Sequence, residues 1–143
     1  MTAVPSPAAE AYVDSAKLKP GQTIWSLTMP AITRTDIVRY AGASGDFTSI
    51  HHDEPFAMKA GNPSVFVMGL YPAGILAAQL GRYFDPRSVR RFGVRFTDKI
   101  WPGDALTYSA TVSHAGDEVQ LDLLVCDQNG TRKLAGSAII ASI

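Results

Sequence analysis

Between Met68 and Phe84 the chain offers few polar side chains, and Leu70, Ile75, Leu76, Ala77, Leu80 and Phe84 leave little room for a solvated face. A helix this apolar has to be enclosed by other structure rather than laid on a surface. Pro72 belongs in its first turn, where proline loses no hydrogen bond. Gly74 and Gly81 are expected to let other backbone approach closely. What encloses the helix follows in the sequence, because from Ser88 onward the apolar period drops to two. Phe92, Val94 and Phe96 alternate with Arg91, Gly93 and Arg95, and Val119, Leu121, Leu123 and Val125 repeat the pattern. Trp101-Pro102-Gly103-Asp104, Ala115-Gly116-Asp117 and Asp127-Gln128-Asn129-Gly130 supply turn chemistry, so four consecutive antiparallel strands in a meander are expected. Upstream, Lys19 to Gln22 reads as a turn and Thr23 to Ile32 as a first strand. Thr33 and Asp36 then form a capping pair for a short helix carrying Ile37, Val38, Tyr40 and Ala41, which Gly42 and Gly45 end just before Asp46. The expectation is a single α+β domain over residues 12–143, an antiparallel sheet wrapped around one long central helix, preceded by a loose tail at 1–11.

Charge and composition exclude several functions. Thirteen basic residues balance thirteen acidic ones, so no overall field draws the chain to nucleic acid. No stretch approaches the roughly 18 to 20 apolar residues of a membrane span. Cys126 is the only cysteine, which rules out an internal disulfide and a multi-cysteine zinc site and points to the cell interior. The N-terminal segment has neither the basic start nor the apolar stretch of a secretory signal, and a cytoplasmic location is expected.

The densest polar cluster is Ser44-Gly45-Asp46-Phe47-Thr48-Ser49-Ile50-His51-His52-Asp53, between two helical stretches. An aspartate with a reference pKa of about 3.9 and a histidine near 6.5 are complementary at neutral pH. Together they are able to orient and activate one water. The competing reading makes Asp46 a turn or helix cap and leaves His51 and His52 as ordinary loop residues. A metal site is weaker still, since His51, His52 and Asp53 are contiguous and His114 is the one distant histidine left to complete it.

The run Tyr40-Ala41-Gly42-Ala43-Ser44-Gly45-Asp46-Phe47-Thr48-Ser49-Ile50-His51-His52-Asp53 resembles the signature segment of the MaoC-like (R)-specific enoyl-CoA hydratases and dehydratases. Val94-Arg95-Phe96-Thr97 and Trp101-Pro102-Gly103-Asp104-Ala105-Leu106 are similar to that family's strand and its Pro-Gly-Asp turn. The resemblance implies a hot-dog fold and hydration of a trans-2-enoyl thioester, or the reverse dehydration. Asp46 and His51 would hold the catalytic water, and the Gly69 backbone amide would polarise the thioester carbonyl. Met68 stands where the family has a histidine, and Thr48-Ser49 stand for its common Asn-Pro. The form of the loop, with Phe66-Val67 downstream, is closer to the small catalytic subunit of heteromeric steroid enoyl-CoA hydratases, so a bulky acyl group and a second MaoC-like chain enter as possibilities.

The resemblance calls for no metal or redox cofactor; the CoA or acyl-carrier arm is part of the substrate. Phe47, Phe66 and Met68 are candidates for substrate contact, and Tyr71 and Tyr83 are either tunnel lining or plain core. Arg82, Arg90, Arg91 and Arg95 face either phosphates or solvent. A homodimer or heterodimer is expected, because one layer of this kind leaves sheet edge uncovered. Two rival readings stay open. A hot-dog thioesterase needs a carboxylate on the central helix, and Gly69 to Tyr83 contains none. A non-catalytic subunit completing a partner's acyl tunnel draws support from Met68, against the retention of both Asp46 and His51.

Overall fold

The computed structural model describes residues 12–141. The expected tail at 1–11 lies outside the described residues, as do 142–143. In chain order the elements are β1 (Thr23–Thr28), α1 (Arg34–Ser44), α2 (Glu54–Lys59), α3 (Leu70–Tyr83), β2 (Val89–Phe96), β3 (Thr107–Ala115), β4 (Glu118–Cys126) and β5 (Arg132–Ala141). The strands form one antiparallel sheet in the order β1-β3-β4-β5-β2, and α3 packs against its inner face.

That order corrects the expected four-strand meander. Only β3, β4 and β5 follow one another; β2 lies at the far edge, paired with β5. Alternation reports which face a side chain takes and says nothing of which strand lies alongside. The local signal for the true pairing is Gly136, which faces Val94 in the register. A Cβ at 136 would stand 2.3 Å from the Gly93 carbonyl oxygen, so β2 closes on β5 only because that position has no side chain. The first strand also ends sooner than expected, at Thr28, after which Met29 and Ile32 hang on the Leu106 and Asp104 carbonyls by single hydrogen bonds of 2.9 Å.

The central helix buries Ala73, Leu76 and Leu80, spaced three and four apart, against Tyr108, Leu121, Leu123 and Leu134 of the sheet's inner face. Pro72 sits in the first turn as expected. Two other expectations fail. Gly74, Ala77 and Ala78 are exposed, so the helix is covered on one side only, and no atom approaches within 3.9 Å of a Cβ placed on Gly74 or Gly81. Small residues leave little apolar surface to hide, which lets a stretch free of charge face water. Leu76 is fully buried, and Leu76→Ala should cost about 3 kcal/mol of stability. Urea denaturation checks this: the midpoint should fall while the slope stays unchanged.

The segment that carries the polar cluster is held by local rules. Thr33 and Asp36 complete a reciprocal capping box, with Asp36 N–H donating to Thr33 Oγ1 at 3.2 Å and Thr33 N–H to Asp36 Oδ2 at 2.9 Å. At its other end α1 stops on Gly45, whose φ of 76° is left-handed and whose N–H bonds the Ala41 carbonyl at 2.9 Å. The chain therefore turns out of the helix one residue before Asp46. The short helix α2 was not expected. Asp53 caps it by accepting from Phe56 N–H at 3.1 Å, and Pro55 occupies its first turn.

Candidate active site

Asp46 stands at the exit of α1, and a single turn of 3-10 helix, Ser49–His51, brings His51 back beside it. Thr48 donates twice to one carboxylate oxygen, from its hydroxyl at 2.7 Å and its amide at 3.2 Å, both to Asp46 Oδ1. The turn-forming reading of Asp46 is thus realised in part, on one oxygen. The other, Oδ2, is turned to His51 Nε2 at 3.9 Å. These bonds hold the Asp46 carboxyl below its ordinary range. The Thr48 hydroxyl contributes most and the Thr48 amide next; partial desolvation opposes them, and the nearby His51 adds a smaller lowering. Asp46 is therefore ionised at neutral pH.

His51 is 12% exposed at its side chain, and its ring is fixed from behind. Nδ1 lies 2.7 Å from the Phe66 carbonyl oxygen. A carbonyl can only accept, so Nδ1 carries the proton and Nε2 is left facing Asp46. The Phe66 ring meets the imidazole edge-on at 5.0 Å and meets Trp101 the same way at 5.9 Å. A gap of 3.9 Å is too long for a direct hydrogen bond and suits one water shared by Nε2 and Oδ2.

Beside the pair opens a cleft of about 800 Å³, lined among others by Tyr40, Asp46, Phe66, Met68, Gly69 and Trp101. Of the residues singled out from sequence, Asp46, Phe66, Met68 and Gly69 line this cleft. His51 stands behind them, against Asp46 and Phe66. Phe47 does not line it: its side chain is 66% exposed, and its carbonyl bonds His52 Nε2 at 3.0 Å. Tyr71 meets Tyr40 edge-on at 5.3 Å, while Tyr83 stacks on Trp25 in the core. Arg90, Arg91 and Arg95 lie exposed on β2, and none of them borders the cleft.

Gly69 is the N-cap of α3, and no residue among those described accepts from its N–H. The first amides of a helix have no partner within the helix and point outward at the positive end of its dipole. Nothing in Gly69's own dihedrals, φ −59° and ψ −32°, requires glycine. An added Cβ would stand 2.8 Å from Phe96 Cε1, so the half-exposed Phe96 ring would have to turn aside to admit one.

Thr48 is the site residue that sequence reasoning missed, because it was counted as a departure from the family's pattern. Thr48→Val removes the stronger of its two bonds to Asp46 and should raise the Asp46 pKa toward the ordinary carboxylate value. The base is lost when it is protonated, so the acidic limb of kcat/KM against pH should move to higher pH. A limb that stays in place would assign it to another group.

A model of the MaoC like domain matches residues 16–126. A fatty acid synthase beta subunit, pigK, from Monascus ruber is 38% identical over 80 residues, which are 54% of this chain and 4% of that much longer protein. Among solved structures, the R-hydratase PhaJ1 from Pseudomonas aeruginosa in its unliganded form superposes with a TM-score of 0.78 at 22% identity, covering 92% of this chain and 86% of that one. The ChsH1-ChsH2 complex from Mycobacterium tuberculosis gives 0.76 at 20% identity, covering 87% and 98%. At such identities the likeness establishes a shared fold. No helix among the described residues is long and apolar enough to cross a membrane.

Proposed function

Because the chain belongs to the MaoC-like domain family and has its hot-dog fold, we propose that it is a hydratase of trans-2-enoyl thioesters, or a dehydratase in the reverse direction. The observation that carries this reading is the pairing of an ionised Asp46 oxygen with His51 Nε2 across a gap of 3.9 Å at the edge of the cleft. Water held between them loses a proton to Asp46 as its oxygen adds to the β-carbon. Negative charge develops on the thioester oxygen, where the unpartnered Gly69 amide is suited to receive it. Return of the proton to the α-carbon completes the addition. The reaction is redox-neutral, and we propose that it needs no metal or redox cofactor. The CoA or carrier-protein arm enters as part of the substrate.

The thioesterase alternative needs a carboxylate from the central helix, and α3, Leu70–Tyr83, carries none. An acyl-CoA carrying a bulky, steroid-like acyl group is the finer proposal, supported by the volume of the cleft and by the form of the signature loop. A second hot-dog layer is part of the same proposal. The eight residues of β2 form an edge strand paired on one side only, and α3 leaves Gly74, Ala77 and Ala78 uncovered. Either a second copy or a second MaoC-like chain fits there.

The test follows loss of enoyl-thioester absorbance with crotonyl-CoA and with a steroid enoyl-CoA, for the chain alone and with a candidate second MaoC-like chain. Hydration of either substrate is expected, and the preferred one reports the room for the acyl group. A chain inert on both, alone and with the partner, would overturn the proposal in favour of a non-catalytic subunit.

A further inference from the structure

Lys133, near the start of β5, is one of the few buried charged side chains, at 4% exposure. Its ammonium donates to Asp98 Oδ2 at 2.8 Å and to the Lys99 carbonyl at 2.9 Å, with Asp127 Oδ2 at 3.3 Å and Asp104 Oδ2 at 3.9 Å. Burial works against this charge. The hydrogen bonds to Asp98 and Asp127, aided by the charges of Asp98 and Asp104, outweigh burial and hold the Lys133 pKa above its ordinary value. Three of the four groups belong to the connection between β2 and β3. That connection has no ladder of its own over 97–104, and Asp104 closes its turn by accepting from Trp101 N–H at 2.9 Å.

The same connection supports the imidazole. Next to the Lys99 carbonyl that Lys133 holds, the Ile100 carbonyl accepts from Val67 N–H at 2.9 Å. Val67 follows Phe66, whose carbonyl fixes His51 Nδ1. Two further contacts bind the connection to Phe66: Trp101 against its ring, and the Lys99 ammonium 5.3 Å above it while donating to Asn62 Oδ1 at 2.5 Å.

We infer that Lys133 is a positioning residue for His51: by anchoring the 98–104 connection it holds the Phe66 carbonyl where it fixes the imidazole's orientation and tautomer. The activity arm of this inference rests on the proposed hydratase reading; the structural arm does not. Lys133 and Asp98 also border the cleft, so loss of a direct contact with substrate would raise KM, whereas misplacement of His51 should lower kcat by about tenfold with a much smaller change in KM.

The experiment compares wild type with Lys133→Met, Asp98→Asn and, as a control for general loosening, Leu121→Ala, whose side chain is fully buried and whose strand partners, Val112 and Ala138, lie outside this network. Asp98→Asn removes the charge from one arm of the anchor and so weakens it, while leaving the ammonium beside Asp104 and Asp127, and it stands in if Lys133→Met fails to fold. The readout is the nitrogen-15 spectrum of the His51 ring, in which wild type should show a slowly exchanging Nδ1 proton. That signal should broaden or give way to mixed tautomers in the Lys133 and Asp98 variants and persist in Leu121→Ala. An unchanged ring signal in folded Asp98→Asn, or the same change in Leu121→Ala, would overturn the inference. If wild type hydrates no thioester but the ring responds as expected, the hydratase reading falls and the positioning role stands.

Discussion

Asp46→Asn should lower kcat/KM for enoyl-thioester hydration by about three orders of magnitude, the largest effect expected of any single change in this chain. The substitution is nearly isosteric. The Asn oxygen can still accept from the Thr48 hydroxyl and amide, which now meet Asp46 Oδ1 at 2.7 and 3.2 Å, so the turn is retained. What disappears is the negative oxygen facing His51 Nε2 and its capacity to take a proton. Stability should change by less than about 1 kcal/mol, since the residue is partly exposed and its local bonds survive. Steady-state kinetics beside thermal unfolding separates the two quantities. A folded Asp46→Asn enzyme with near-normal kcat/KM would mean that the carboxylate serves the turn alone.

His51→Ala should remove about two to three orders of magnitude of kcat/KM and should also cost stability. The ring is largely buried, and the Phe66 carbonyl depends on it for a 2.7 Å hydrogen bond. Its loss leaves that carbonyl in search of a partner and the Phe66 ring without its edge-on neighbour at 5.0 Å, a cost of about 1 to 2 kcal/mol. Unfolding in urea and kinetics on the same preparation should therefore both move, in contrast to Asp46→Asn. A variant that loses stability while keeping activity would make His51 a packing residue.

The contrast between these variants reflects how the site is built, and also how much of it can be read from the chain. The capping box of Thr33 and Asp36, the stop at Gly45 and the first-turn Pro72 were legible because each depends on residues within a turn of one another. Asp46 and His51 were legible as a pair through the resemblance of their run to the MaoC-like signature segment, since a five-residue spacing alone equally suits a turn cap beside ordinary loop histidines. The position of β2 was not, since period-two alternation leaves strand neighbours open; the decisive residue, Gly136, lies more than forty positions after Gly93 in the chain. Helix α2 was hidden because six residues carry too little periodicity, although Asp53-Glu54-Pro55 has the form of a helix start.

Two features of the site could not be found from spacing at all. Thr48 takes its meaning from bonds to Asp46 that exist only once the loop has turned. Lys133 meets Asp98 and Asp104 from one connection and Asp127 from another, and nothing in a list of lysines marks it as the buried one. Phe47 shows the reverse error: its place within the signature run suggested substrate contact, yet its ring is turned outward and away from the cleft.

Mass spectrometry of the product formed in oxygen-18 water bears most directly on the claim that Asp46 and His51 deliver one water to a carbon–carbon double bond. The account predicts an intact 3-hydroxyacyl thioester labelled on its β-hydroxyl, formed by wild type and nearly absent with Asp46→Asn. Label found instead in the carboxylate of a released free acid would show water attacking the thioester carbonyl, and would contradict the account.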